Sequence, residues 1–145
     1  GMRRLFADTF YWGALFHQRD SWHERVLAFS RTLTPSDRLW TTDAVFTEVL
    51  AMFSGAGEYL RQGAVRRVRA TLSNPRVTLM PFTHDLFLDG LALYEQRPDK
   101  SYSLTDCISM NVMRQEDLTE VLTNDHHFTQ EGFHILFPDT GARAR

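Results

Sequence analysis

Four acidic residues far apart in the chain each stand where an element ends or begins. They are Asp8 in Leu5-Phe6-Ala7-Asp8-Thr9, Glu48 in Phe46-Thr47-Glu48-Val49-Leu50, Asp106 in Ser103-Leu104-Thr105-Asp106, and Asp125 in Leu122-Thr123-Asn124-Asp125. Only a fold can gather them. Carboxylates clustered without basic partners repel one another and are costly to ionise. A hard divalent cation removes that cost, and Mg²⁺ and Mn²⁺ prefer oxygen donors of this kind. The chemistry such a cluster would support is metal-assisted hydrolysis of a phosphodiester.

Each acid also has a plainer reading. Asp106 stands three residues after Ser103, close to a capping box with Asp in place of Glu or Gln. A carboxylate there also suits the helix dipole. Asp8 could cap the next helix, sharing that work with Thr9. Asp125, beside Asn124, could be an ordinary turn residue. Glu48 is harder to dismiss, because it borders the apolar stripe of its helix and no basic residue is near it in sequence. The coincidence of four favours a shared site. His126-His127 is read as a turn pair: neighbouring residues rarely ligate one metal, and no cysteine partner is at hand. Cys107, the only cysteine, lies on an apolar stripe and is read as core; one cysteine allows no intramolecular disulfide.

The elements that must position these residues alternate strand and helix. Short apolar runs predict strands at 4–8, 38–42, 77–80, 120–122 and 134–137. Between them lie helices at 9–17, from about 22 to the Thr34-Pro35-Ser36 stop, from Thr42 or Asp43 to Gly55, at 58–72, at 84–94, and from Ser103 onward. Helix 58–72 is expected to turn Leu60, Ala64, Val68 and Leu72 inward, with its arginines on a solvated face. Alternation of this kind means an α/β fold with a mainly parallel sheet of about five strands. Ligands then bind beyond the carboxyl ends of the strands, where Asp8 and Asp125 fall.

The 145 residues suffice for one domain with a real core, 43% of them hydrophobic. One domain over 2–140 is expected, with 141–145 a short tail and Gly1 a tag scar. The net charge of −2 excludes a polycation, so any nucleic-acid contact must be a local basic face. Of the 16 basic residues only Lys100 is a lysine. Arginine suits bidentate phosphate contact, although GC-rich coding gives the same excess. No apolar run reaches the ~18 residues of a membrane span, and no signal peptide is visible. The cytoplasm is the default compartment.

In this order the residues Asp8-Thr9, Thr47-Glu48-Val49-Leu50, Leu104-Thr105-Asp106 and Leu122-Thr123-Asn124-Asp125-His126-His127-Phe128 resemble the PIN-domain ribonucleases, and especially the VapC-like toxins of toxin–antitoxin pairs. The resemblance covers essentially the whole chain. It implies a three-layer α/β/α sandwich and a site of Asp8, Glu48, Asp106 and Asp125 holding Mg²⁺ or Mn²⁺. Thr9 and Thr123 would support that site, and Asn124 lies beside it. It further implies RNA as substrate, frequent homodimers and an inhibitory antitoxin. The apolar residues of the third and fourth helices, among them Leu50, Tyr59, Leu60, Val65 and Leu72, cover more than one face, which favours a homodimer and an antitoxin groove there. The rivals fit less well. A phosphate-receiver domain needs a lysine after a late strand, and Lys100 precedes a helix. A haloacid-dehalogenase-type phosphatase needs Asp-x-Asp, and Phe10 occupies the second position. A PIN-like module that only binds a partner has no need of four acids.

Overall fold

A computed structural model describes residues 1–139. The expected tail over 141–145 lies outside the described residues. The strands are β1 (Arg4–Ala7), β2 (Arg38–Thr42), β3 (Val77–Met80), β4 (Glu120–Leu122) and β5 (His134–Ile135). The helices are α1 (Thr9–Phe16), α2 (His23–Ser30), α3 (Asp43–Phe53), α4 (Glu58–Leu72), α5 (His84–Gln96), α6 (Leu104–Gln115) and α7 (His127–Gln130). All five strands pair in parallel, in the order β3-β2-β1-β4-β5. β1 is central and its Leu5, Phe6 and Ala7 are wholly buried. A parallel strand covered on both faces reads as an unbroken apolar run, which is what these three residues are.

The connections set the layers. From β1 the chain steps to β2 and β3 on one side, then returns across β1 to β4 and β5. Right-handed crossovers put helices on opposite faces when the direction of stepping reverses. Accordingly α1 to α4 pack among themselves, and α5 packs on α6. The result is a three-layer α/β/α sandwich, as expected. α1 is apolar all round and buries Tyr11, Trp12, Ala14 and Phe16 in the core. Asp37 accepts hydrogen bonds from the amides of Arg3 and Thr34, both at 2.8 Å, and so ties the entrance of β1 to that of β2.

Most boundaries match those predicted, and the departures have simple causes. β1 ends at Ala7, because the carbonyl of Asp8 already accepts from Tyr11 at the start of α1. β5 is two residues long, yet the amides of Leu136 and Phe137 go on bonding to the β4 segment. α7 was not foreseen. Leu72 is 51% exposed rather than inward. Four residues overrun a 3.6-residue turn by about 40°, so three such steps carry Leu72 about 120° away from Leu60. Cys107 is fully buried and free, as expected.

The α5–α6 contact controls where Asp106 sits. A methyl group at Gly90 of α5 would stand 2.6 Å from Ile108 Cγ1, close to the backbone of α6. Helix propensity alone predicts that Gly90→Ala gains about 1 kcal/mol, whereas overpacking costs ~1–3 kcal/mol. The steric cost should win because α6 is pinned at its first turn. Urea unfolding of Gly90→Ala is expected to show a lower midpoint; a higher one would mean that α6 shifts freely.

Candidate metal centre

The reversal of strand order between β1 and β4 opens a crevice at their carboxyl ends, where ligands bind in sheets of this kind. A helix that leads into a parallel strand starts at that same end of the sheet. The sequence therefore delivers Asp8 from the end of β1, Glu48 from the second turn of α3, Asp106 from the first turn of α6, and Asp125 from just beyond β4.

Asp8 is 5% exposed. It holds the N-cap position of α1 but makes no capping bond with its side chain. Its Oδ2 instead accepts from the Thr123 hydroxyl at 2.8 Å, a bond across the crevice from β1 to the chain leaving β4. Burial, and then the charges of Asp106 and Glu48, push the Asp8 carboxyl up to about 7, against the opposing effect of the Thr123 bond. Thr9 donates to Glu48 Oε1 at 2.7 Å, which turns that half-buried carboxylate toward α1.

Asp106 is both a cap and a member of the cluster. Its Oδ2 accepts from the Ser103 amide and its own amide donates to Ser103 Oγ, each at 3.0 Å. The capping box is complete with Asp at its third position. Burial still raises its carboxyl, and the charges of Asp125 and Glu48 raise it further, while the bonds to Ser103 resist. Asp8 thus feels the charges of Asp106 and Glu48, and Asp106 those of Asp125 and Glu48. Among the described residues, no arginine or lysine forms an ion pair with any of them.

Ligand-grade spacing selects a narrower set. Donor atoms of Asp106, Asp125 and His127 all lie within 4.8 Å of one another. Asp8 and Glu48 stand outside that trio, with Glu48 raising the Asp106 carboxyl and Asp106 raising that of Asp8. Asn124 is half-buried beside Asp125 and makes no side-chain hydrogen bond among the described residues. His127, set aside above as a turn residue, is the side chain that spacing alone did not reveal. The signal lay in the turn: Asp125 Oδ1 accepts from the His127 amide at 2.9 Å. An aspartate that bonds the backbone two residues on returns that residue to its own carboxylate.

A cavity of about 280 Å³ lies elsewhere, between α1, α2 and the entrances of β2 and β3. Its carboxylate, Asp37, is already satisfied by backbone amides.

Solved structures share this architecture. VapC20 of Mycobacterium tuberculosis, described as a sarcin-ricin loop cleaving toxin, superposes with a TM-score of 0.77 at 22% identity, covering 89% of this chain and 95% of that one. VapBC-1 from nontypeable Haemophilus influenzae gives 0.62 at 14% identity, over 91% and 96% of the two chains. FitAcB from Neisseria gonorrhoeae gives 0.61 at 16%, over 92% and 97%. At these identities the likeness is one of fold. No curated protein matches in sequence. The family model for the PIN domain, however, matches residues 5–133, from β1 through α7 and across all four acids, so the chain belongs to the PIN domain family.

Proposed function

We propose that this protein is a Mg²⁺- or Mn²⁺-dependent endoribonuclease, the toxin of a toxin–antitoxin pair. The observation that carries the reading is a group of mutually repelling, buried or half-buried carboxylates at the sheet's switch point, with no arginine or lysine among the described residues paired to them. Asp8, Glu48, Asp106 and Asp125 would hold the ion. Once bound, a divalent ion lowers the pKa of water and draws charge from a phosphodiester. The chain's own part is orientation. Thr123 fixes the Asp8 carboxyl and Thr9 fixes Glu48, so neither must be ordered when substrate arrives. The Ser103 box holds Asp106 at the mouth of the crevice.

The substrate class is single-stranded RNA; VapC20, the structural neighbour named above, is described as cleaving the sarcin-ricin loop. A homodimer and an antitoxin partner belong to the same proposal. Leu50, Met52 and Tyr59 on and after α3 are 37%, 53% and 83% exposed. Apolar surface of that kind suits a protein interface. Another neighbour is described as a toxin–antitoxin complex from Klebsiella pneumoniae. An antitoxin arginine placed among the four acids would compete electrostatically with the metal. Among the described residues no helix is long and apolar enough to cross a membrane, and a cytoplasmic location, where RNA is at hand, belongs to the same proposal.

Cleavage of a single-stranded RNA should begin on addition of Mg²⁺ or Mn²⁺ and stop with EDTA; undiminished cleavage in EDTA would reject the mechanism. Asp106→Asn keeps an acceptor for the Ser103 amide but deletes the charge. It should fold normally and lose at least the ~10–100-fold that even an outer-shell partner is worth. Wild-type cleavage by that variant would leave Asp106 only a cap.

Stability should report the same site. Asp8 titrates near 7 in the fold against an ordinary 3.8, so its protonated form favours folding. That contribution is complete below about pH 4 and is lost as pH rises through 7. Asp106 shifts in the same direction. The metal-free melting temperature is therefore expected to fall between pH 5 and 8, and less steeply in Asp8→Asn. Millimolar Mn²⁺ or Mg²⁺ should restore it most at the upper end, since the ion takes the deprotonated acids. A metal-free profile that is flat or rising would contradict this.

A further inference from the structure

His127 stands at the crevice without a role in the four-acid scheme. Its ring is clamped, with the Tyr102 ring edge-on at 5.4 Å and the His126 ring at 4.9 Å. Tyr102 is itself fixed, since its hydroxyl donates to Glu131 Oε2 at 2.9 Å. Glu131 in turn is held by Arg97 at 2.8 Å and Arg114 at 2.7 Å. A ring supported so heavily presents one atom to the acids. Nδ1 lies 3.0 Å from Asp125 Oδ1 and 3.9 Å from Asp106 Oδ2. Yet Nδ1 is buried and makes no hydrogen bond, because its contact with Asp125 is off the line such a bond requires. A buried nitrogen left unpaired beside two carboxylates is costly.

A cation among the three atoms removes that cost. Octahedral ions with ligands at about 2.1 Å place neighbouring donors about 3 Å apart and opposite donors about 4.2 Å apart. The separations of 3.0 and 3.9 Å fall in that range. Resting on the metal-centre reading above, we infer that His127 Nδ1 is a direct ligand, completing a site with Asp106 and Asp125, and that this nitrogen shifts the site's preference from Mg²⁺ toward Mn²⁺ and the later first-row divalent ions. Carboxylates alone serve Mg²⁺ well, whereas imidazole favours transition ions, along the order Mn²⁺, Fe²⁺, Co²⁺, Ni²⁺. Tyr102, itself held by Glu131, packs edge-on against the ring and restrains its rotation.

The test is calorimetric titration of the whole protein with Mn²⁺ and, separately, Mg²⁺, in wild type, His127→Ala and His127→Gln. Electron-spin-echo spectra of the Mn²⁺ forms accompany it. Wild type should bind Mn²⁺ more tightly than Mg²⁺ and show nitrogen coupling to the Mn²⁺ electron spin. Both variants should lose that coupling and about 10- to 100-fold in Mn²⁺ affinity, with a smaller loss for Mg²⁺. Equal losses for the two ions, or nitrogen coupling that persists in both variants, would overturn the assignment and leave the four-acid centre standing. Affinity that rises for both ions would make the imidazole a counter-charge instead, and overturns it too. Wild type that binds neither ion would remove the metal centre itself.

Discussion

Repulsion among carboxylates that the sheet forces together is the constraint from which the site's other features follow. β1 and β4 are adjacent and in fixed register, with Ala7 opposite Leu122. Their next residues must therefore enter the same crevice. The bond from Thr123 to Asp8 closes that pairing on the side-chain level. It also supplies the one hydrogen bond from a side chain that eases the Asp8 charge, and it does not suffice: the carboxyl remains near 7. A fold that holds this arrangement is less stable at neutral pH than its packing would allow, until something positive arrives.

Glu131 shows what the same functional group does when the chain means to neutralise it. It is as buried as the crevice acids, with 5% of its side chain exposed, but it receives bonds from Arg97, Arg114 and Tyr102. The Arg97 bond above all brings it down to about 2. It joins the end of α5, the loop before α6, the end of α6 and the residue after α7, so it is a structural hinge-pin for the elements that carry Asp106 and His127. Asp8 and Glu131 are thus driven in opposite directions within one small domain. Burial and neighbouring acids drive Asp8 up, and hydrogen bonds led by that from Arg97 bring Glu131 down.

Much of this was legible beforehand because the elements announce themselves locally. The apolar run Leu5-Phe6-Ala7 has one sensible place, the centre of a parallel sheet. Ser103 and Asp106 spell their cap in four residues. Thr42 caps α3 by accepting from the Val45 amide, one of the two residues expected to do so. What stayed hidden needed the third dimension. That Thr123 reaches Asp8 and Thr9 reaches Glu48 depends on strand order, which no local pattern fixes. His127 was set aside because two adjacent histidines seldom share an ion. The turn at Asp125 sends His127 to the carboxylates and leaves His126 exposed, so only one of the pair was ever relevant. The exposure of Leu72 was missed for a geometric reason, the slow rotation of an i+4 row about its helix.

The arginine-rich composition makes the bare crevice more informative than a count of acids would be. The chain has guanidinium groups to spare, and among the described residues none pairs with the crevice acids. Arg3 lies over Phe29, Arg4 over Trp40, Arg25 over Trp22 and Arg114 over Phe133. Arg97 and Arg114 share Glu131. A protein that needed only stability would gain by turning one of these toward Asp8 or Asp106, since an opposite charge nearby relieves a buried carboxylate. Such a pairing would also occupy the space and the charge that a cation from solution requires. The acids can serve as a cation site only while the chain withholds its arginines and lysine, and among the described residues none of these is paired with them.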